Sequence, residues 1–313
     1  MGFYILPNDK YEVILLEQKD SASYRYLPMI LVLLIWGVMN VPTKFALAEM
    51  SPMQLLLMRT SLAVLLLAPA AWIREKKLLP DRSDLLTAVI MGLTGVLGNN
   101  LCFFYAVKNT TLTNIAIIFA TSPLITTVLA AIFLGERLTL RRVTGILLAL
   151  CGAVSLLCGG NLTVLRHLTL NKGDLFELTA AFLCSVMTIL GRRIRKTSPL
   201  VVTLCNMFSS MALILAYLLI SGSALNTHLS LKAAASAVYC GFLGSGCAYV
   251  LQQTSIKRIG AGATGAFLNA SPVLSILSAV FFMGERISLI QVCSAAVIFA
   301  GILINAGEKR PIR

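Results

Sequence analysis

The first long apolar stretch of the chain carries three chemically active residues at intervals of four: Trp36, Asn40 and Lys44. Residues four apart share one face of an α-helix, so an indole, an amide and an ammonium group form one stripe. Such a stripe can stack against the apolar part of a small molecule, exchange hydrogen bonds with it and attract an anion. Lys44 lies about one turn from the end of the stretch, so an alternative is that its charge only extends beyond the apolar region.

Arg59 is a second cation within an apolar stretch, and it lies deeper. It follows Pro52 by seven residues, which places it about 10 Å along a helix. A charge inside an apolar layer is costly and normally faces a cavity or a partner. A functional and a structural role stay open for Arg59. In the functional role it binds an anionic group or braces the outer gate; in the structural role it donates hydrogen bonds to helix-end carbonyls.

Amide and aromatic residues recur in three further apolar stretches. They are Asn99, Phe103, Tyr249, Gln253 and Asn269. Amides both donate and accept hydrogen bonds, so they either line a polar cavity or tie neighbouring helices together. The repeated pairing of an aromatic residue with an amide favours a shared binding cavity.

Two prolines, Pro123 and Pro272, lie near the middle of apolar stretches. Proline removes an intrahelical hydrogen bond and bends the helix. We therefore predict helix kinks at both positions, which would open a cavity midway along the helices. Simple helix curvature is the alternative.

Helices of a particular kind must position these residues. The chain has 313 residues, of which 58% are hydrophobic and 12% charged, whereas soluble proteins have about 25% charged residues. Apolar stretches of about 20 residues are long enough to cross a bilayer, and these lack the alternation of barrel strands. The ten stretches are 27–48, 52–73, 85–107, 113–134, 142–159, 174–194, 199–220, 233–256, 263–283 and 287–306. We predict an all-α integral membrane protein with ten transmembrane helices.

The distribution of basic residues predicts the topology. The formal net charge of +13 would by itself also suit a nucleic-acid-binding protein. However, most of the lysines and arginines fall in alternate connecting segments, on the side that holds both termini. This is the positive-inside pattern. It predicts a multi-pass protein of the plasma (bacterial inner) membrane with both termini cytoplasmic, in contact with membrane lipid and not with nucleic acid.

An internal repeat divides the chain into two halves. Residues 122–137 and 271–286 both begin with Ser-Pro and end with Gly-Glu-Arg, without a gap between. Five spans per half is an odd number, so the second half enters the membrane from the opposite side, as an inverted-topology repeat. We expect a cytoplasmic segment at 1–26, the first repeat at 27–159, an outside linker at 160–173, the second repeat at 174–306 and a cytoplasmic tail at 307–313.

A further pattern recurs in order along both halves. The first half has Trp36-Gly37, Lys44, Pro52, Arg59, Tyr105-Ala106, Ser122-Pro123 and LGERLT at 134–139, and the second has Gly173-Asp174, Ser198-Pro199, Ser271-Pro272 and MGERIS at 283–288. The chain resembles the EamA-type ten-span branch of the drug/metabolite transporter superfamily. The resemblance implies ten helices and transport of small metabolites, often export of amino acids or related compounds. One difference between the halves concerns charge. Pro199 precedes Asn206 by the same seven residues that separate Pro52 from Arg59, so the second half carries an amide where the first carries a cation.

The function predicted is that of a secondary transporter that moves a small-molecule solute by alternating access, through a cavity between inverted halves. The resemblance implies that the solute is an amino acid or related compound and that it is exported, and the protein would be a monomer or a homodimer. One alternative is an exchanger of phosphorylated or nucleotide-linked sugars, which would require more cations within the membrane. An alternative of another class is a membrane scaffold without transport.

Several chemical classes receive no support from the sequence. It contains no Walker loop, no HExxH motif and no CxxC pair, so we expect no enzymatic activity, no cofactor and no metal. Glu177 is the one acid clearly within a predicted span, one turn after Asp174. A proton relay through a central carboxylate is not indicated, and Glu177 is only a minor candidate for such a role.

Overall fold

The computed structural model describes residues 22–136, 138–159, 171–222, 225–271, 273–274 and 288–306, without the side chains of 22–24, 40, 108, 112–113 and 305–306. These residues form helices and their connections, with no strand among them. The shorter helices are α1 (Ala22–Leu47), α2 (Pro52–Glu75), α4 (Leu112–Phe119), α5 (Ser122–Leu134), α6 (Leu140–Leu157), α7 (Lys172–Arg193), α8 (Pro199–Ser221), α10 (Ala261–Leu268) and α11 (Leu289–Ala306). Two composite helices, α3 and α9, each contain a π-helical segment: α3 comprises Arg82–Met91, Gly92–Gly98 and Asn99–Asn109, and α9 comprises Leu231–Tyr239, Cys240–Cys247 and Ala248–Ile259.

Helices long and apolar enough to cross a membrane dominate the described part of the chain. It contains seven of them, or eight if the bent α1 counts as one span. The predicted all-helical membrane protein is thereby confirmed. The count of ten is still a prediction, since predicted span nine runs through 275–283 and the second Gly-Glu-Arg motif follows it, both outside the described residues. The outer surface carries large apolar side chains such as Leu65, Leu219 and Ile220, as lipid contact requires.

The starts of α2 and α8 follow from the same local sequence. Ser51 accepts a hydrogen bond from the Gln54 N–H, and Ser198 accepts one from the Val201 N–H. Serine is a favoured N-cap, and proline fits the first helical position because its missing N–H has no partner there. Ser51-Pro52 and Ser198-Pro199 therefore begin two equivalent helices.

The π-helical segments of α3 and α9 allow close contacts between the halves. Gly95 of α3 packs against Met187 of α7, where an added Cβ would overlap three side-chain atoms, and Gly244 of α9 packs against Met39 of α1, where it would overlap the flexible thioether sulfur. Thus α3 packs mainly on α7 and α8, whereas α9 packs mainly on α1 and α2. Each half supplies the neighbours of the other half's third helix.

A break divides the span predicted at 113–134. Helix α4 ends at Phe119 and α5 begins at Ser122, with Pro123 in its first turn. In the second half α10 ends at Leu268, and Asn269 follows at the corresponding break. Pro272 lies outside the described residues, so only Pro123 can be placed relative to a break.

Candidate functional site

Arg59 lies at the centre of a cluster of buried polar side chains from α2, α3 and α9. This cluster, formed by Arg59, Asn100 and Ser245, is called the Arg59 group. Its side chain is only 3% exposed. The Nε donates to Ser245 Oγ at 3.1 Å, and Nη1 donates to Asn100 Oδ1 at 3.2 Å. The ion pairs among the described residues join Lys77 to Asp81 and Arg142 to Glu136, so Arg59 has no carboxylate partner there. Within the described part of the chain, neutral side-chain oxygens are its hydrogen-bond acceptors.

Two aromatic residues from different helices adjoin this cation. Tyr249 of α9 is buried and lies near both Arg59 and Asn100. Trp36 of α1 meets Tyr249 edge to face, with ring centroids 5.4 Å apart and planes at 71°. The indole Nε1 donates to the Gly244 carbonyl at 3.0 Å, which fixes the ring against the π-helical segment of α9. An apolar, aromatic wall therefore stands beside a buried positive charge.

Three buried amides have unused hydrogen-bonding capacity. No partner among the described residues meets Gln252 Oε1, Gln253 Nε2 or Asn269 Nδ2. A buried polar atom without a partner costs about 1–3 kcal/mol. Gln253 lies one turn after Tyr249, and Asn269 lies at the break after α10. These atoms are available to a polar ligand that enters between the helices.

Other predicted site residues do not join this group. Asn99 donates from Nδ2 to the Ala180 carbonyl at 2.8 Å, a bond that ties α3 to α7. Phe103 packs against Phe104 at 5.8 Å in a separate apolar cluster. Lys44 is exposed in the last turn of α1. The side chain of Asn40 lies outside the described residues.

Asn100 and Ser245 belong to the Arg59 group but are absent from the predicted site. A sequence signal for Asn100 exists, because it follows Gly92 by the same eight residues that separate Tyr249 from Gly241. Ser245 lies within a run of glycines and is indistinguishable there from a small packing residue. The structure brings together Trp36, Arg59 and Tyr249 from the predicted set.

The group is closed to bulk solvent in this conformation, since its side chains are buried or half-buried. Two surface cavities lie elsewhere. One adjoins Pro52 and Phe104, and the other lies between Gly152 of α6 and Cys293 of α11. A solute therefore reaches Arg59 only if helices move apart.

A family model described as the EamA-like transporter family matches residues 24–158 and again residues 171–307. The chain belongs to this family. The two matches cover most of the chain and meet near the predicted linker, so the resemblance of the motifs to this family is confirmed. This family member is a multi-pass membrane transporter, in agreement with the expected absence of enzymatic activity.

Relatives of this family member have been named as transporters. The chain is 29% identical over 231 residues to the uncharacterized transporter YyaM of Bacillus subtilis (strain 168), covering 73% of this chain and 75% of the relative. It is 25% identical over 290 residues to an uncharacterized transporter of Archaeoglobus fulgidus, covering 92% and 99%. It is 26% identical over 288 residues to a probable amino-acid metabolite efflux pump of Salmonella typhimurium, covering 88% and 92%.

A solved crystal structure shares the fold. Its TM-score is 0.77 at 21% sequence identity, over 91% of this chain and 96% of that chain. At this identity the likeness concerns the helical arrangement alone.

Proposed function

We propose that this protein is a secondary transporter that exports a small metabolite, an amino acid or a related carboxylate, across the plasma membrane by alternating access. The observation that carries the proposal is Arg59, a buried cation whose acceptors among the described residues are the neutral Asn100 and Ser245. A buried charge without a counterion is energetically unfavourable, and an anionic ligand would remove that cost.

The surroundings of Arg59 match an amino-acid-like solute. A guanidinium binds a carboxylate through two parallel hydrogen bonds, and these are strong away from water. Trp36 and Tyr249 would contact the apolar part of the solute, while Gln253 and Asn269 would bond its remaining polar groups. The name of the Salmonella relative, an amino-acid metabolite efflux pump, supports this solute class.

A second candidate, exchange of phosphorylated or nucleotide-linked sugars, has less support. Such solutes carry more negative charge and would need several unpaired cations. The other buried arginine of the described chain, Arg142, already pairs with Glu136 at 2.5 Å. Arg59 alone suits a solute with one carboxylate.

The proposed architecture is ten transmembrane helices in two inverted five-helix repeats, with both termini cytoplasmic. Three observations support it: the family model matches twice, the Ser-Pro caps recur, and the Gly95–Met187 contact has a counterpart in Gly244–Met39. Inverted repeats of this kind place the solute between the halves. The α3–α7 and α1–α9 contacts would then open in alternation, each exposing the Arg59 group to one side.

Exchange of labelled amino acids in proteoliposomes tests the proposal. Vesicles loaded with one unlabelled L-amino acid at a time are assayed for uptake of its radiolabelled form. We expect wild-type exchange with at least one acid, and a loss of about tenfold or more in Arg59→Gln. The control is Arg74→Gln, an exposed cation of the same helix that should retain exchange. The proposal is wrong if no acid is exchanged, or if Arg59→Gln matches the wild type.

A further inference from the structure

A second buried ionisable group lies on α7, away from Arg59. Glu177 is 0% exposed, and neither of its carboxylate oxygens has a hydrogen-bond partner among the described residues. It lies one turn, about 4.5 Å, deeper along α7 than Asp174. Asp174 itself is satisfied by Thr110 and Asn114. The Glu177 carboxyl group therefore lies one turn below the hydrogen-bonded Asp174 and has no hydrogen-bond partner among the described residues.

Among the described residues, the ionisable groups around Glu177 do not include a cation, and the side chain of Lys108 on α3 lies outside that description. Those that face it are Cys102 of α3 and Cys184 of α7. Tyr105 of α3 is exposed and stacks on Phe176, and Tyr249 of α9 faces Cys184 and Arg59. Helices α4, α5 and α10 carry no ionisable residue. The remaining charged groups that adjoin α7 lie elsewhere: Lys172 is exposed before its first turn, and Asp84, Arg192, Lys257 and Arg258 lie at its opposite end.

An ionised carboxylate in such surroundings has an unfavourable free energy, since no counterion or donor among the described residues replaces its lost hydration. Binding one proton converts it into a neutral carboxyl group and removes most of that cost. An ionisable residue within the membrane that lacks a structural partner is a candidate for ion movement. The burial of Glu177 therefore makes it a stronger candidate for proton binding than its sequence position alone indicates.

We propose that Glu177 is the proton-binding site through which this protein couples solute movement to the transmembrane proton gradient. The proposal rests on the transport function proposed above. The carboxylate takes up one proton from the aqueous phase on one side and releases it on the other when the α3–α7 contact opens. Helix α3 links the two sites, because it carries Asn100 beside Arg59 and Cys102 beside Glu177.

Infrared difference spectroscopy tests proton binding without any knowledge of the solute. Purified full-length protein in detergent is compared with Glu177→Gln at neutral pH. We expect the wild type to show the carbonyl stretch of a protonated carboxyl group, and the variant to lack it. The control Glu75→Gln, which removes an exposed acid, should keep the band. A wild type without the band, or a band that survives in Glu177→Gln, overturns the proposal.

Proteoliposomes then test coupling with the L-amino acid that the wild type exchanges best. Exchange of labelled for unlabelled solute needs no net proton movement, whereas accumulation driven by a pH gradient does. We expect Glu177→Gln to lose about tenfold in gradient-driven accumulation while exchange stays within about twofold. Accumulation equal to the wild type overturns the coupling role. If wild-type protein exchanges nothing, the transport proposal fails instead, and the infrared result still decides proton binding.

Discussion

Helices α2 and α8 begin with the same Ser-Pro cap and differ seven residues later. Arg59 of α2 reaches across to Asn100 of α3 and Ser245 of α9. Asn206 of α8 is fully buried, and its amide nitrogen, placed to suit its neighbours, donates to the carbonyls of Ala88 at 2.7 Å and Val202 at 3.0 Å. One repeat therefore uses this position to hold a charge, and the other uses it to join backbones. The two halves therefore differ in charge at this equivalent position.

Exchanging the two side chains is the strongest test of this comparison. In Arg59→Asn combined with Asn206→Arg, the cation moves to a position whose surroundings are backbone carbonyls of α3 and α8. We expect amino-acid exchange in proteoliposomes to fall by about a hundredfold, because both the charge and its aromatic wall are lost from one place. If the double variant instead exchanged amino acids at the wild-type rate, this expectation would be wrong, and either half could hold the site.

Removing the amide alone separates structure from function. Asn206→Leu deletes two buried hydrogen bonds and leaves carbonyls without a side-chain donor, so we expect the free energy of unfolding to fall by about 1–3 kcal/mol. Thermal unfolding in detergent measures this loss. Exchange by the folded fraction should stay within about threefold of the wild type. A folded variant with no exchange would place Asn206 in the solute site.

Two glycines at helix contacts, Gly92 of α3 and Gly244 of α9, offer a smaller contrast between the halves. A Cβ at Gly92 would lie 2.6 Å from the Asn206 carbonyl oxygen, a backbone atom that cannot turn away, whereas one at Gly244 meets only the flexible end of Met39. We expect Gly92→Ala to lower the free energy of unfolding by about 1–3 kcal/mol and Gly244→Ala by less than about 1 kcal/mol. Equal shifts in the thermal midpoint would contradict this difference in rigidity.

The smallest effect concerns the two ends of α2. Hydrogen bonds from the Ser230 hydroxyl and then from its N–H hold the pKa of the exposed Glu49 carboxyl below its usual value. A carboxyl with a lowered folded-state pKa stabilises the protein above its unfolded pKa, and this stability is lost as the pH falls through the folded pKa. We expect Ser230→Ala to raise the pKa of Glu49 and to weaken that acid dependence, because the backbone N–H of residue 230 still donates to the carboxyl group; carbon NMR of the carboxyl group follows the change. Ser198→Ala, which affects Glu75 at the other end of α2, should leave Glu49 unchanged.

Hydropathy and the repeated motifs were sufficient to predict a helical membrane protein of this family. They also identified Trp36, Arg59 and Tyr249, which meet in the structure. Helical periodicity shows which residues share a face, but not which helix that face contacts. For that reason Phe103 could not be distinguished from a site residue, although it packs in a separate apolar cluster.

Local bends explain a further part of what the sequence leaves open. Helix α1 turns by 43° between Met39 and Val41, just before Pro42, so Trp36 and Lys44 do not continue one straight stripe. The π-helical segment of α9 contains Ser245 and changes the backbone register there. No residue pattern in the sequence predicts this change of register. An alignment of the two halves would have indicated Asn100, because it occupies the position in the first half that Tyr249 occupies in the second.

The interlocking of the third helices has a consequence for biosynthesis. Helix α3 leaves the ribosome long before α7 and α8, the helices on which it packs. Until then the surface around Gly92 and Gly95 has no native neighbour, so the amino-terminal half cannot complete its own fold while it is being made. Helix α9, by contrast, emerges after both α1 and α2 are already in place. The two equivalent helices are thus assembled in different orders. Helix α3 is made before the helices on which it packs, and α9 is made after the helices on which it packs.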